Sequence, residues 1–209
     1  MLKGSKYYTV YIVLGLLLVS VSCKDKPGSA TNSTTTTSFI RETPVQSFYT
    51  RVAKDKVKQL ELDSLESGFK DLQIRIWYDH SLFNPRELVV ITNRNNSWTA
   101  TLYELDVEWK GDIEKIENSR KKDVTPKSGW TTFVNKLLSL QILSLPDQDK
   151  INGYGQGVDG TTYNFEIATK NQYRFYSYWE PKSRQKFWQA RNVVGILSMV
   201  QEELWASYF

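Results

Sequence analysis

The chain has 209 residues, of which 40% are hydrophobic and 13% aromatic, and its formal net charge is +4. This length suits one ordinary domain with short tails, and the aromatic content excludes wholesale disorder. A single cysteine excludes an intramolecular disulfide and any thiolate metal cluster, and a single histidine excludes sites that need two. The composition therefore predicts a folded domain without a metal or another cofactor.

The N-terminal residues 1–22 have the organisation of a secretory signal peptide. Two lysines precede an apolar run over residues 10–21, which is too short to span a membrane and ends in small residues. The following sequence Val-Ser-Val-Ser-Cys, residues 19–23, resembles the lipobox of bacterial lipoproteins. This resemblance implies that Cys23 is acylated and becomes the first mature residue. The alternative is an uncleaved anchor helix with an incidental cysteine.

Residues 23–46 are predicted to form a solvated tether that begins with the lipidated cysteine, because they are rich in Ser and Thr and poor in apolar residues. The run Cys-Lys-Asp-Lys at its start is similar to the charged export tags of surface lipoproteins in the Bacteroidetes, which implies an outer-membrane location. Signal removal takes two lysines and leaves 25 basic and 23 acidic side chains. So small an excess of positive charge predicts no nucleic-acid partner.

Residues 47–209 are predicted to form a single α+β domain. Residues 47–65 are poorly periodic and leave a short helix or a short strand open, whereas residues 71–79 alternate in hydropathy as a strand does. Two further strands are predicted at 87–92 and 97–105, on either side of an Asn-Arg-Asn-Asn hairpin loop. The charged, apolar-poor segment 111–127 is predicted to be a surface excursion.

The second half of the domain is predicted to contain two helices and a hairpin. A helix begins near Ser128 or Thr131, and Pro146 ends the segment that follows it. Strands at 161–169 and 172–179 enclose a tight Lys-Asn turn, and a long amphipathic helix covers residues 184–205. The predicted order is β-β-β-α-β-β-α, an antiparallel sheet of about five strands covered by two helices.

Four segments, taken in order, resemble an uncharacterised family of small bacterial proteins. The resemblance covers roughly residues 71–205 and implies a fold without implying an activity. The segments are IRIW at 74–77, SGW at 128–130, GVDGTTYNFE at 157–166, and residues 173–181, which end in Trp-Glu-Pro.

Local motifs for catalysis or metal binding are incomplete. The Asp-rich loop 147–153 lacks the ligands that an EF-hand needs, and Asp79-His80-Ser81 cannot form a relay because adjacent side chains point in different directions. The carboxylates Asp159, Glu166 and Glu180 are candidates for a paired-acid cleft only if the chain folds back to bring them together. The sequence leaves that question open.

Aromatic residues on the predicted strands, interleaved with arginines, are the strongest candidate for a binding surface. The predicted binding face comprises Arg75, Trp77, Arg174, Tyr176 and Tyr178. The alternative is that these side chains pack beneath the helices.

The last strand residue, Trp179, is predicted to be structural, because its ring can pack beneath Phe187 where the chain turns into the final helix. We expect Tyr176 and Tyr178 to lie on the opposite face of the strand. Their truncation is therefore expected to cost less stability than truncation of Trp179.

The sequence thus favours an exported, lipid-anchored outer-membrane protein whose non-enzymatic domain binds an envelope protein, a peptide or a glycan. One alternative is a carboxylate-dependent hydrolase, which requires two acids in one cleft. Another is an inhibitor or immunity-type lipoprotein, which requires an exposed aromatic or acidic knob.

Overall fold

The computed structural model describes residues 44–80, 84–111, 113–157 and 159–205. The predicted signal peptide, the predicted lipidation site Cys23 and nearly all of the predicted tether lie outside these residues. Within them the chain forms six strands and three helices. The strands are β1 Leu72–His80, β2 Arg86–Arg94, β3 Ser97–Lys110, β4 Ile113–Val124, β5 Thr161–Thr169 and β6 Gln172–Trp179, and the helices are α1 Pro44–Gln59, α2 Trp130–Ser139 and α3 Trp188–Leu204.

All neighbouring strands are antiparallel, and their order in the sheet is β4-β3-β2-β1-β5-β6. The sheet consists of two sets of sequential antiparallel strands, β1-β2-β3-β4 and β5-β6. The pairing of β1 with β5 joins the two sets. The loop predicted between the second and third strands is confirmed as a turn, in which Asn95 and Asn96 take φ values of 51° and 63°. Asparagine tolerates this left-handed conformation better than most residues.

Helices cover both faces of the sheet. On one face Ile74, Ile76 and Phe165 pack against α2 and α3 in the main core. On the other face Trp77 and Leu88 pack against α1 in a second core. The prediction of an antiparallel α+β domain is confirmed, and the domain has three layers.

Helix α1 lies across the second face and reaches both edge strands. Near its N-terminus Gln46 Nε2 donates to the carbonyl of Phe175 on β6 at 3.0 Å. At its C-terminal end Gln59 Nε2 donates to the carbonyl of Glu114 on β4 at 2.9 Å, and its Oε1 accepts from the Ile116 N–H at 2.8 Å. These contacts hold α1 across the sheet. Side chains of α1 then line one side of the cavity described below.

The predicted numbers of strands and helices were each one too low. Segment 111–127, predicted as a surface excursion, contains β4. Among the described strands it pairs with β3 alone and is mostly exposed, so it needs few apolar residues, and its charges suit an open sheet edge. The additional helix is α1, which begins at Pro44 and ends at Gln59. It covers most of segment 47–65, for which the sequence allowed either a short helix or a short strand.

Candidate functional site

The site begins with one transverse row of side chains on the face that α1 covers. Asp79 on β1 pairs with Thr162 on β5, and Thr162 pairs with Trp179 on β6. On the other side of β1, Arg86 of β2 lies 3.6 Å from the Asp79 carboxylate, measured from Nη1 to Oδ1. Directly opposed residues share a face of the sheet. The row Arg86-Asp79-Thr162-Trp179 therefore crosses four adjacent strands.

A cavity of about 220 Å³ lies above this row. Helix α1 contributes Phe48, Tyr49 and Val52, and the Tyr49 hydroxyl is 3.1 Å from the Thr162 hydroxyl. The C-terminal end of β3 contributes Trp109 and the N-terminal end of β4 contributes Glu114. These two residues are paired across the hairpin. Phe48 and Trp109 are 40% and 46% exposed, so two large aromatic side chains stand in solvent at the wall of the cavity.

Four charged side chains form a compact cluster at the floor. Lys56 of α1, which is 1% exposed, contacts Asp79 and also Glu114, the latter at 2.7 Å between Nζ and Oε2. Arg86 Nη1 contacts Glu114 as well as Asp79. Two cations therefore neutralise two carboxylates in a place where burial makes an unpaired charge costly.

The surroundings of Asp79 keep its carboxylate ionised. Burial by itself would raise the pKa of Asp79, but the charge and hydrogen bond of Lys56 and the charge of Arg86 outweigh burial, so its pKa lies below the ordinary value. Asn164 Nδ2 also donates to Asp79 Oδ2 at 2.6 Å. A carboxyl group held in this way is a poor proton donor at neutral pH.

The five residues of the predicted binding face do not form one exposed surface. Arg75 and Trp77 are each 1% exposed and lie on the face that α1 covers. Arg75 donates from Nη1 to Glu166 Oε2 at 3.3 Å and from Nη2 to the carbonyl of Asp63 at 2.6 Å. These two members of the predicted face are therefore part of the buried interior.

The other three members lie on the opposite face of the sheet, beneath the segment that follows α2. The hydroxyl of Tyr176 donates to the carbonyl of Ile142 and that of Tyr178 to the carbonyl of Pro146, each at 2.6 Å. Arg174 donates to two carbonyls in the same segment. Both tyrosines are almost fully buried, and burial raises the pKa of each hydroxyl. They hold this segment to the sheet, so the prediction that they form an accessible face is wrong.

The expected position of Trp179 is also corrected. Its ring does not pack with Phe187, which contacts Tyr154 at 5.3 Å between ring centroids. The Arg184 guanidinium lies 4.5 Å from the centroid of the Trp179 ring, and Trp179 Nε1 donates to the carbonyl of Asp159 at 2.7 Å. Trp179 is only partly buried and lines the cavity, on the face opposite Tyr176 and Tyr178 as expected.

Two of the three carboxylates considered from the sequence, Glu166 and Glu180, do not share a cleft. Glu166 is buried against Arg75, and burial raises its pKa although the arginine acts in the opposite direction. The Glu180 carboxylate accepts a hydrogen bond from the backbone N–H of Thr161 at 2.6 Å. Glu166 pairs with Phe175, five residues before Glu180, which places the two acids roughly 16 Å apart along the hairpin.

The sequence did not identify the cavity-lining residues Arg86, Trp109 and Glu114, or Lys56, which pairs with Glu114. They belong to separate elements, and no motif joins them. The one local signal is Lys56, which stands four residues after Val52 on the side of α1 that faces the sheet. A lysine in an otherwise apolar stripe is a sign of a paired, buried charge.

Comparison with known proteins gives no assignment: no family model matches the chain, and no curated protein matches it significantly. Among residues 44–80, 84–111, 113–157 and 159–205, no helix is long and apolar enough to cross a membrane. The same part of the chain contains no group of three or more His, Cys, Asp or Glu side chains arranged to hold a metal ion.

Proposed function

We propose that this protein is an exported, lipid-anchored protein of the bacterial outer membrane, whose domain binds an envelope ligand in the cavity beneath α1. The signal-like residues 1–22 and the lipobox-like sequence ending at Cys23 support the anchoring half of the proposal. Because stable attachment takes about two lipid signals, a fully acylated N-terminal cysteine would suffice.

The observation that carries the binding half is the combination of Phe48 and Trp109 at the wall of a cavity with a polar floor. Contiguous exposed apolar surface marks interaction sites more often than isolated exposed side chains do, and these two rings line the same cavity. Ligand sites typically combine aromatic walls with a few fixed polar groups, and this cavity has both. Its charged groups are paired with one another, so the site is built for recognition rather than for proton transfer.

A carboxylate-dependent hydrolase is the second candidate, because Asp79 and Glu114 lie in one cavity. Both contact the same lysine nitrogen, so they are at least as close as the carboxyl pairs of retaining glycosidases, about 5–5.5 Å. Such enzymes need one protonated acid, whereas the pKa of Asp79 is lowered, and Glu114 lies between the two cations Lys56 and Arg86. Binding without turnover is therefore the better fit.

The anchoring half is tested by metabolic labelling with palmitate. The natural chain is expected to incorporate label, and Cys23→Ser is expected to leave an unlabelled precursor of full length. Normal processing and labelling of the Cys23→Ser variant would show that the cysteine is not a lipidation site.

The binding half is tested by capture of envelope material on tagged protein, with two tryptophan variants compared. Trp109 lines the cavity and is 46% exposed, whereas Trp188 is 44% exposed at the start of α3, outside the lining. Trp109→Ala is expected to lose captured material that Trp188→Ala retains. Equal capture by both variants would show that the cavity is not the binding site.

A further inference from the structure

The charge balance of the cavity floor restricts the kind of ligand that it accepts. Among the described residues the floor cluster has two cations, Lys56 and Arg86, and two anions, Asp79 and Glu114. A charged ligand would leave water for a site that offers it no net counter-charge, and such desolvation is costly. The floor therefore favours an uncharged ligand with polar groups.

The polar groups within reach of that ligand are a donor and an acceptor side by side. Arg86 lines the cavity with a side chain that is 8% exposed, and both of its ion pairs in the cluster are made by Nη1. The neighbouring Asp79 side chain is 13% exposed and carries a negative charge that accepts hydrogen bonds. A guanidinium carries five N–H donors, so a ligand oxygen in the cavity can accept from a donor that these ion pairs do not use. Two adjacent hydroxyl groups match this arrangement, because one accepts from Arg86 while the other donates to Asp79.

The walls fit the remaining surface of a sugar ring. A pyranose presents flat patches of C–H groups, and aromatic side chains offer the flat apolar surfaces against which such patches pack. Trp109 and Phe48 supply exposed aromatic surface, and Trp179 is held in place by Arg184 and by its hydrogen bond to Asp159. A preorganised wall of this kind reduces the entropy lost on binding.

The size of the cavity limits the ligand to one ring. Its volume of about 220 Å³ lies below the range of roughly 300–1,000 Å³ that is usual for drug-sized ligands. An extended peptide would have to leave most of its length outside. A single sugar unit at the end of a glycan, or exposed along it, needs no more space than one ring.

We propose that the cavity binds one uncharged pyranose unit of an envelope glycan, with neighbouring hydroxyls of the ring on the Arg86 guanidinium and Asp79 and its C–H face on Trp109. This inference rests on the binding function proposed above and specifies its ligand class. The chemical feature that the cavity recognises is then a vicinal diol on an uncharged sugar ring.

The direct test measures binding of a defined panel to the full-length lipoprotein in detergent. The panel contains neutral oligosaccharides of glucose, galactose, mannose and N-acetylglucosamine, together with matched oligosaccharides that end in a uronic acid or in glucosamine. We expect a neutral member to bind. Arg86→Lys keeps the positive charge but removes the guanidinium donors and is expected to weaken binding about tenfold, the equivalent of one lost hydrogen bond.

Trp109→Ala is the second variant, since Trp109 is exposed and its loss spares the fold, and it is also expected to weaken binding at least about tenfold. Trp188→Ala is the matched control and is expected to bind like the natural chain. Binding of only the charged members, or of none, would overturn the saccharide inference, as would neutral-sugar binding that neither cavity variant weakens.

A chemical test on envelope material distinguishes failure of the ligand class from failure of the binding function. Periodate cleaves vicinal diols, so prior periodate treatment of the envelope is expected to abolish the capture that depends on Trp109, whereas protease treatment is expected to leave it. Capture that survives periodate but not protease would overturn the saccharide inference in favour of a peptide ligand and leave the binding function standing. Absence of any Trp109-dependent capture would overturn both.

Discussion

Removal of the buried lysine that joins α1 to the sheet is the sharpest test of the charge cluster. Lys56→Met keeps the length and the apolar stem of the side chain but leaves the buried Glu114 and the 13% exposed Asp79 with Arg86 as the one cation of the cluster. Breaking a buried ion pair by removing one partner typically costs about 3–5 kcal/mol. Because ordinary domains have about 5–15 kcal/mol of stability, the expected loss is a large fraction of the total.

The free energy of unfolding is measured by urea titration and followed by tryptophan fluorescence. Trp77 is a suitable reporter, since it is buried and its ring centroid lies 5.5 Å from Lys56 Nζ. The matched control is Lys54→Met on the same helix. Lys54 pairs with Glu66 at 2.5 Å, but both side chains are about half exposed, so its loss is expected to cost less than about 1 kcal/mol.

Two further measurements separate charge imbalance from lost packing. The double variant Lys56→Met/Glu114→Gln restores one cation to one anion, so we expect it to be less destabilised than the sum of the two single changes. Equal costs for Lys56→Met and Lys54→Met, or strict additivity in the double variant, would refute the view that the cluster acts as a neutral unit.

The pH dependence of the Lys56→Met variant follows from Asp79. In the natural chain its pKa is lowered below 3.8, so its stabilising contribution is present above this value and is lost as pH falls through the folded-state pKa. Without Lys56 its charge and hydrogen bond no longer lower the pKa of Asp79, so we expect that pKa to rise. Protonation then relieves the unpaired charge, and the stability difference between the two proteins is expected to shrink from pH 7 toward pH 4. A difference that grows on acidification would contradict this.

Three further changes test the aromatic framework by urea titration. Tyr178→Ala is expected to lower the free energy of unfolding by about 3–5 kcal/mol, because the tyrosine side chain is fully buried. Trp179→Ala is expected to lower it by only about 1 kcal/mol, because Trp179 is partly buried, and the reverse order would restore the structural role first predicted for Trp179. Tyr176→Phe is expected to cost about 1–3 kcal/mol, because the Ile142 carbonyl loses its donor, and an unchanged midpoint would mean that water replaces it. Gly157→Ala would place a methyl group 2.1 Å from the Trp179 ring, so we expect a loss of about 1–3 kcal/mol and altered fluorescence, and no change would show that the loop is free to shift.

The strands with a clear alternation of apolar and polar residues were predictable from the sequence. Residues 74, 76 and 78 point to one core, as expected for β1, and the β2-β3 and β5-β6 hairpins follow the turn residues between them. Strand β4 was missed because an exposed edge strand needs few apolar residues. Helix α1 was left ambiguous because Lys56 interrupts its apolar stripe with a charge that only tertiary pairing explains.

The candidate site could not be predicted because its floor is a product of strand register. Asp79 meets Thr162 through the pairing of β1 with β5, which are separated by about half of the domain, and local patterns do not encode that pairing. The predicted aromatic face failed for a related reason. Alternation shows that Tyr176 and Tyr178 share a face, but not whether a helix or a loop covers it, and here both faces of the sheet are covered.

Helix α1 couples the wall of the cavity to its floor. Phe48 and Lys56 are eight residues apart, about 12 Å along a helix, so one element places an aromatic ring in solvent and an ammonium at the ion cluster. Disruption of the cluster should therefore weaken ligand binding as well as stability, because it loosens the helix that supports the wall. Trp109 lies on the β3-β4 hairpin instead, so its truncation should weaken binding alone. A cluster kept only for stability could be replaced by well-packed apolar residues at little cost. Its position beneath exposed aromatic rings is the reason to expect that its second role is recognition.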